Sequence, residues 1–265
     1  MRVAWATDIH LNFPSAETRH AFYDRFRAEG AEAAVVTGDI AEAPSLAELL
    51  REMGDALDCP LYFVLGNHDF YRGDVASVRE VARALSQAHP RLRYLTGAAP
   101  VPLGARSALV GHDGWADGRA GDFARSRVFL NDYLLIADLV THDPADRLAR
   151  MQRLAREAAE SLAAAAARAL TERPHVVVAT HVPPFREACW HEGRISDDNW
   201  APHFTSVAVG EALRAVMAER PDRTMEVLCG HTHGEGVARV LPNLVVRTGA
   251  AEYGAPALAG VLEVA

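Results

Sequence analysis

Short apolar runs rich in β-branched residues recur along the chain, and nearly every one stops at a small polar cluster. The five runs are residues 3–7, 34–37, 61–65, 176–180 and 225–228. Such runs predict buried strands, and the helical periodicity of the segments between them predicts an α/β fold. Because ligands of α/β sheets bind beyond the carboxyl ends of the strands, we expect the polar clusters to meet in one crevice.

The clusters that follow the runs carry carboxylate, amide and imidazole groups. They are Asp8-Ile9-His10, Gly38-Asp39, Gly66-Asn67-His68-Asp69, the lone His181, and Gly230-His231-Thr232-His233. These oxygen and nitrogen donors suit Mn, Fe or Zn, and the lack of thiolates argues against a soft metal. Seven candidate ligands are too many for one catalytic zinc, which keeps three protein ligands, but they suffice for two ions if one carboxylate bridges.

Composition limits the classes of protein to consider. A chain of 265 residues that is 49% hydrophobic, without repeats or a linker, predicts a single domain over residues 1–265. The net charge of −8 makes extended nucleic acid an unlikely partner. Three cysteines without C-x-x-C spacing support neither a disulfide framework nor a zinc knuckle, and they indicate a reducing compartment. With no signal-peptide core and no membrane-length apolar span, we expect a cytoplasmic protein; the oligomeric state is left open.

Helical periodicity and capping residues predict several helices packed on the sheets. Ser15 caps a first helix that Gly30 ends, and a capping box at Ser45 opens a second. Further helices are expected over residues 74–88, 144–172 and 206–219. Short strands at 237–241, 244–248 and 258–264 make the last third strand-rich.

Two segments, residues 111–143 and 183–205, are longer than ordinary connections and are interpreted as loops around the cleft. Four polar residues in them are read as loop groups without a motif rather than as ligands, and whether they line the cleft is left open: His112, Asp113, His191 and His203. The same segments hold three arginines that can pair with a phosphate, although solvated loop arginines are commoner: Arg119, Arg186 and Arg194. Four aromatic residues can stack on a ring or cover the edge of the core: Trp115, Trp190, Trp200 and Tyr253.

The motifs D-x-H, G-D, G-N-H-D, a later lone histidine and G-H-T-H, in this order, resemble those of the calcineurin-like metallophosphoesterase superfamily. The match runs from Asp8 to His233. Each motif alone arises by chance, whereas the ordered set at strand ends is specific. The resemblance implies a four-layer α/β/β/α sandwich of two mixed sheets flanked by helices, with a dinuclear metal centre.

The resemblance also implies roles for individual residues. One metal ion would be held by Asp8, His10, Asp39 and His233. A second ion would be held by Asp39, Asn67, His181 and His231, so that Asp39 bridges. A metal-bridging hydroxide would attack the phosphoryl group while His68 stabilises or protonates the leaving oxygen. A carboxylate that supports this histidine commonly follows the bridging aspartate by three residues, which here is Glu42, and Asp69 is the rival.

Simpler interpretations exist for each residue taken singly. Asp8 and Asp39 can cap helices, Asn67 can make a turn, and His10 or His181 can be a surface imidazole. None of these explains the order of the motifs.

The favoured function is hydrolysis of a small phosphomonoester or phosphodiester. A nuclease would use the same centre with a basic track beside it, and a non-catalytic scaffold would lack some ligands. A metallo-β-lactamase type of centre is a poor match, because its H-x-H-x-D-H pattern is absent from residues 231–236. The natural substrate, the choice between monoester and diester, and the native metals are left open.

Overall fold

The computed structural model describes residues 1–265 and contains two large mixed sheets. The strands are β1 (Arg2–Ala6), β2 (Ala33–Thr37), β3 (Leu61–Val64), β4 (Leu92–Tyr94), β5 (Val101–Leu103), β6 (Ser107–His112), β7 (His175–Thr180), β8 (Trp190–His191), β9 (Arg194–Ile195), β10 (Thr224–Cys229), β11 (Gly236–Leu241), β12 (Leu244–Thr248) and β13 (Gly260–Glu263). The helices are α1 (Ala16–Ala28), α2 (Ala43–Ala56), α3 (Val75–Ala88), α4 (Asp132–Leu135), α5 (Pro144–Glu172), α6 (Ala201–Phe204) and α7 (Val207–Ala218).

The strand orders place the carboxyl ends of parallel strands together. The first sheet has the order β13-β1-β2-β3-β4, in which only β13 runs antiparallel to its neighbour. The second has the order β11-β12-β10-β7-β6-β5, with antiparallel strands at both edges. β8 and β9 form a separate two-stranded hairpin. The five strands predicted from the apolar runs therefore all lie in parallel pairs.

Side-chain alternation along the strands builds three apolar layers. Val3 and Trp5 of β1 pack with Val177 and Ala179 of β7 in a layer between the two sheets. The alternate residues of β1 face α1, α2 and α3, whereas those of β7 face α5 and α7. Because successive side chains on a strand point to opposite faces, each sheet is covered on both sides. The predicted four-layer sandwich with helices outside is confirmed.

Most helix predictions are confirmed, and one start was wrong. Ser15 caps α1 by accepting a hydrogen bond from the Thr18 amide, and α5 spans the predicted residues. The prediction that a capping box at Ser45 starts the second helix was wrong, because α2 begins at Ala43 with a proline in its first turn. Proline is well suited to that turn since its missing N–H would have no helical partner there. None of the helices combines the length and apolar character needed to cross a bilayer.

Strands β4, β5 and β6 were not predicted, because they are short or rich in small residues. Gly111, assigned to the start of a cleft loop, lies inside β6. A Cβ at Gly111 would fall 2.8 Å from the Leu95 side chain and 2.9 Å from that of Val64. The small residue therefore allows close packing between the sheets, and the irregular segment begins only at Asp113.

Candidate metal centre

The side chains predicted as metal ligands follow parallel strands of both sheets. Asp8, Asp39 and Asn67 come after β1, β2 and β3 of the first sheet. His181 and His231 come after β7 and β10 of the second. The facing sheets thus bring chain segments more than 200 residues apart to one edge of the sandwich, where the seven side chains form two groups that share Asp39.

The first group consists of Asp8, His10, Asp39 and His233, whose potential donor atoms all lie within 4.8 Å of one another. The Nε2 atoms of His10 and His233 are 3.3 Å apart. The His233 Nε2 atom is 3.5 Å from Asp8 Oδ1, and the His10 Nε2 atom is 3.8 Å from Asp39 Oδ2. Four oxygen and nitrogen donors therefore converge on one point.

The second group surrounds the amide oxygen of Asn67. This oxygen lies 3.0 Å from His181 Nε2 and 2.9 Å from His231 Nδ1. The His181 Nε2 atom is also 3.4 Å from Asp39 Oδ1. Asp39 thus presents one carboxylate oxygen to each group, as a bridging ligand would.

Backbone carbonyls hold two of the imidazoles in the orientation that a ligand needs. The Nδ1 atom of His181 donates to the Thr37 carbonyl at 2.9 Å, and the Nε2 atom of His231 donates to that of His203 at 3.2 Å. Each ring then keeps a lone pair on the nitrogen that faces the cluster. Such hydrogen bonds fix the tautomer and orientation of metal-binding histidines.

Asp132 is a site residue that the sequence analysis missed. Its Oδ1 accepts hydrogen bonds from Asn67 Nδ2 at 2.8 Å and from the Tyr71 hydroxyl at 2.7 Å. The first bond turns the Asn67 amide oxygen toward the two histidines. Tyr71 in turn stacks on the His68 ring, with centroids 4.2 Å apart. The Asn-Asp-Tyr sequence around Asp132 matches no motif, and only its place in a predicted cleft loop hinted at such a role.

Most of the predicted ligands have an unusual backbone conformation. Five of the seven have positive φ angles: Asp8 49°, His10 40°, Asp39 51°, His231 72° and His233 56°. Positive φ is uncommon for residues other than glycine, and such strain concentrates at functional sites.

Two glycines lack the side chain that would collide with the carboxylates of the site. A Cβ at Gly66 would fall 2.2 Å from Asp39 Oδ1, and one at Gly230 would fall 2.0 Å from Asp8 Oδ2. Neither position can carry a side chain without displacing a carboxylate. The glycines of the G-N-H-D and G-H-T-H motifs therefore belong to the site.

Negative charge in the cluster has no arginine partner. Asp8, Asp39 and Asp69 are all buried, and the ion pairs of Asp8 and Asp39 involve only histidines. Burial, together with the charges of Asp8 and Asp69, raises the pKa of Asp39 well above its ordinary value. Grouped buried carboxylates are costly unless a cation neutralises them.

Two histidines of the cluster, His10 and His231, are neutral at pH 7, as metal ligands must be. Burial lowers the pKa values of His10 and His231 to about 3. Neutral imidazoles, carboxylates and an amide oxygen form a donor set that suits Mn, Fe or Zn. The residues present therefore fit a metal site.

His68 lines the cleft beside the two groups, with its Nε2 atom 3.9 Å from Asp39 Oδ2. The structure brings neither predicted carboxylate partner to its ring. Glu42 pairs with Arg72 instead. Asp69 accepts hydrogen bonds from the amides of Ile40, Ala41 and Gly66 at 2.8–2.9 Å. Asp69 therefore joins the loops that carry Asp39 and Asn67.

The two predicted cleft segments both reach a cavity of about 310 Å³ above the cluster. Leu130, Asn131 and Asp132 line it from one segment, and His191 and Phe204 from the other. His203 contributes its carbonyl group to His231, while its ring is held by Tyr133 and Ser126.

Several other residues of these segments lie away from the cavity. His112 and Asp113 do not line it, and Trp115 is in the core against Phe70. The arginines do not line it either; Arg119 pairs with Glu211, and Arg186 with Asp198. His112 and Asp113 therefore have no part in the cleft wall, and the interpretation of His112 as a loop residue was wrong, because it is the last residue of β6.

Comparison with known proteins adds independent evidence. The family model described as calcineurin-like phosphoesterase matches residues 1–235. No curated protein gave a significant match.

Three solved structures illustrate the likeness of fold. The phosphopantetheinyl hydrolase PptH from Mycobacterium tuberculosis is 14% identical, with a TM-score of 0.65, and the alignment covers 95% of this chain and 89% of that one. A dimetal phosphatase from Danio rerio is 13% identical, with a TM-score of 0.59 and coverage of 94% and 87%. Protein TT1561 of Thermus thermophilus is 14% identical, with a TM-score of 0.57 and coverage of 94% and 88%.

At these low sequence identities, the solved structures are evidence for the fold alone. The family model, in contrast, spans nearly nine-tenths of the chain and contains every motif at the edge of the sandwich. The chain belongs to the calcineurin-like phosphoesterase family.

Proposed function

We propose that this protein is a metal-dependent phosphoesterase that hydrolyses a small phosphomonoester or phosphodiester. The observation that carries the proposal is the pair of donor groups that share the buried carboxylate of Asp39 without an arginine to neutralise it. We assign one ion to Asp8, His10, Asp39 and His233. The other ion is assigned to Asp39, Asn67, His181 and His231.

Two ions held by these residues would supply Lewis acidity, which lowers the pKa of water and offsets charge on a phosphoryl group. The choice among Mn, Fe and Zn rests on the donor types alone. Asp69 and Asp132 would keep the ligand loops in place, because they bind the backbone near Asp39 and the amide of Asn67. The protein therefore contributes a site whose ligands are already oriented.

His68 is assigned to the leaving oxygen. It lines the cleft, belongs to neither donor group, and has an Nε2 atom that faces the Asp39 side of the cluster. Burial and, to a smaller extent, the charge of the neighbouring His181 lower the pKa of His68 to about 4, so the ring is neutral at pH 7. The neutral ring can donate a hydrogen bond. The cationic form would require the added charge of a bound phosphate, which raises the pKa of a nearby histidine.

A small substrate is favoured over a nucleic acid. No arginine lines the cavity above the cluster, and the chain contains no lysine. Proteins that bind extended nucleic acids place several cations along the backbone path. The lining and the net charge of −8 support the small-molecule alternative over the nuclease.

The test combines metal analysis of the purified protein with parallel assays on p-nitrophenyl phosphate, its bis-ester, cyclic nucleotides and single-stranded DNA. His68→Ala is expected to retain metal and to lose about 100-fold to 1,000-fold in turnover, because the leaving oxygen loses its partner. His20→Ala, which changes an exposed histidine of α1, is the matched control. Full turnover in the His68 variant would refute its role, and a strong preference for DNA would favour the nuclease.

A further inference from the structure

One wall of the cleft is aromatic and open to solvent. Tyr253 lines the cleft, is 50% exposed, and packs its ring 4.5 Å from that of His10 and 4.9 Å from that of His233. Phe13 is 53% exposed and lies edge-on to Tyr253 at 5.2 Å. Only seven large hydrophobic side chains are exposed in the whole protein, and two of them adjoin here. Exposed apolar surface beside a polar site indicates contact with a ligand.

The aromatic wall lies on the side where an alcohol would leave. The ring of Tyr253 is 6.1 Å from that of His68, the residue assigned to the leaving oxygen. An organic group attached to that oxygen would therefore extend along Tyr253. An aromatic ring offers a flat apolar face and prefers offset or edge-on partners.

The cleft has no place for a second anionic group. Two arginines of the flanking segments, Arg119 and Arg186, pair with Glu211 and Asp198, and no arginine of the protein lines the cavity. Apart from the predicted metal ligands, the lining contains one carboxylate, that of Asp132. A second phosphate or a carboxylate on the substrate would meet like charge and would find no cation to replace its lost hydration.

We propose that the substrate is a phosphate ester whose phosphoryl group is its only anionic group, and whose leaving group packs an apolar, flat face on Tyr253. This inference rests on the proposed function. Polyphosphates, bisphosphates and phosphorylated acids are thereby disfavoured as substrates. Tyr253 is the specificity-determining residue, and Phe13 extends the surface that it offers.

The test measures binding rather than turnover. Calorimetry on manganese-loaded protein compares methylphosphonate, phenylphosphonate and 4-phosphonobenzoate. Phenylphosphonate is expected to bind about tenfold more tightly than methylphosphonate, because its ring stacks on Tyr253. 4-Phosphonobenzoate is expected to bind less tightly than phenylphosphonate, since its carboxylate has no cationic partner.

Variants distinguish a substrate wall from a structural support for His10 and His233. Tyr253→Ala is expected to reduce the phenyl-to-methyl ratio to about one, because the phenyl group loses its stacking partner. Tyr253→Phe should retain the ratio, as should Phe129→Ala, which removes a 58% exposed ring outside the cleft.

Three outcomes would overturn the inference: a ratio unaffected by Tyr253→Ala, tighter binding of 4-phosphonobenzoate, or loss of methylphosphonate binding in that variant. Failure of the wild-type protein to bind methylphosphonate or to hydrolyse any ester would instead refute the proposed function itself.

Discussion

Two buried aspartates, Asp113 and Asp39, follow strands and lie near histidines, yet their surroundings differ. Asp113 accepts hydrogen bonds from the Leu65 amide at 2.9 Å, the Tyr94 hydroxyl at 2.8 Å and Arg79 Nε at 2.9 Å. Burial alone would raise the pKa of Asp113, but Arg79, His112 and the hydrogen bonds from Leu65 and Tyr94 together outweigh burial, and the pKa is lowered. Asp39 has carboxylates and histidines as neighbours and a raised pKa.

The comparison separates a structural carboxylate from one poised for a ligand. At Asp113 the protein itself supplies every partner, including the cation, so the group contributes to stability. At Asp39 the charge is left uncompensated, and a bound metal ion would complete the set. The number of neutralising partners is therefore more informative than burial or the presence of a neighbouring histidine.

The largest effect is expected at Asp39. Asp39→Asn removes the ligand shared by both groups, so metal content should fall below about one ion per chain and ester hydrolysis by about 1,000-fold. Without metal the same variant should be more stable than wild type, because a repelled buried charge is removed. Metal analysis and urea unfolding of chelated protein check both statements. Full metal content in the variant would contradict the bridging assignment.

Asp113→Asn should give the opposite pattern. It leaves the buried Arg79 with only the half-exposed Glu157 as a charged partner, so the free energy of unfolding should fall by about 3 kcal/mol. Metal content per folded molecule should stay unchanged. Urea unfolding at pH 7 and metal analysis of the native fraction measure the two effects. An equal loss of metal would erase the distinction between the two aspartates.

The neighbouring His112 sharpens the comparison through pH. Burial lowers its pKa to about 4, whereas an unfolded histidine has a pKa of about 6.5. The unfolded state therefore binds the proton more readily, and stability should fall by about 2–3 kcal/mol as the pH drops from 6.5 to 4. The Asp113 contribution, whose folded pKa is lowered, persists above about pH 4 and is lost only below it.

His112→Gln should remove about one proton from the pH dependence of unfolding in the metal-free protein. Urea unfolding at several pH values between 7 and 4 gives the slope. His20→Gln, which removes an exposed imidazole of α1, is the matched control. An identical slope in wild type and His112→Gln would show that this imidazole is not held neutral.

The smallest effect is expected at Asp132, which touches the metal site only through Asn67. Asp132→Ala should weaken the binding of one ion by about tenfold to 100-fold, the usual range for a residue that orients a ligand. Tyr71→Phe keeps the Asn67 contact and should have a smaller effect on metal affinity. Competition with a chromogenic chelator measures both. Unchanged affinity in the alanine variant would show that Asn67 does not need this anchor.

The elements predicted correctly from the sequence are those that depend on residues close together in the chain. Apolar runs marked the central strands, a capping residue located the start of α1, and apolar periodicity located α3. The order of the motifs led to all seven side chains that the structure gathers. Strand β6 was not predicted because its small residues lack a β-branched pattern, and β4 and β5 were not predicted because they are short.

Contacts across long stretches of chain could not be read in the same way. Asp113 and its partner Arg79 are 34 residues apart, and Asn67 and Asp132 are 65 apart. Nothing in either residue's neighbours encodes the pairing, which arises only when helices and loops pack. The same limit applies to the predicted carboxylate partners of His68. Glu42 pairs with Arg72, and Asp69 accepts hydrogen bonds from three backbone amides, so neither carboxylate contacts the His68 ring.

The hydrogen bond from Asn67 to Asp132 has a consequence for engineering and for divergence within the family. The segment that shapes the cleft also supports the metal site, so it is not an independent module. A chimera that receives this segment from a relative with a different substrate would inherit the new cleft but forfeit the anchor, unless the graft restores an acceptor for the Asn67 amide. Substrate range and cofactor retention are therefore expected to drift together.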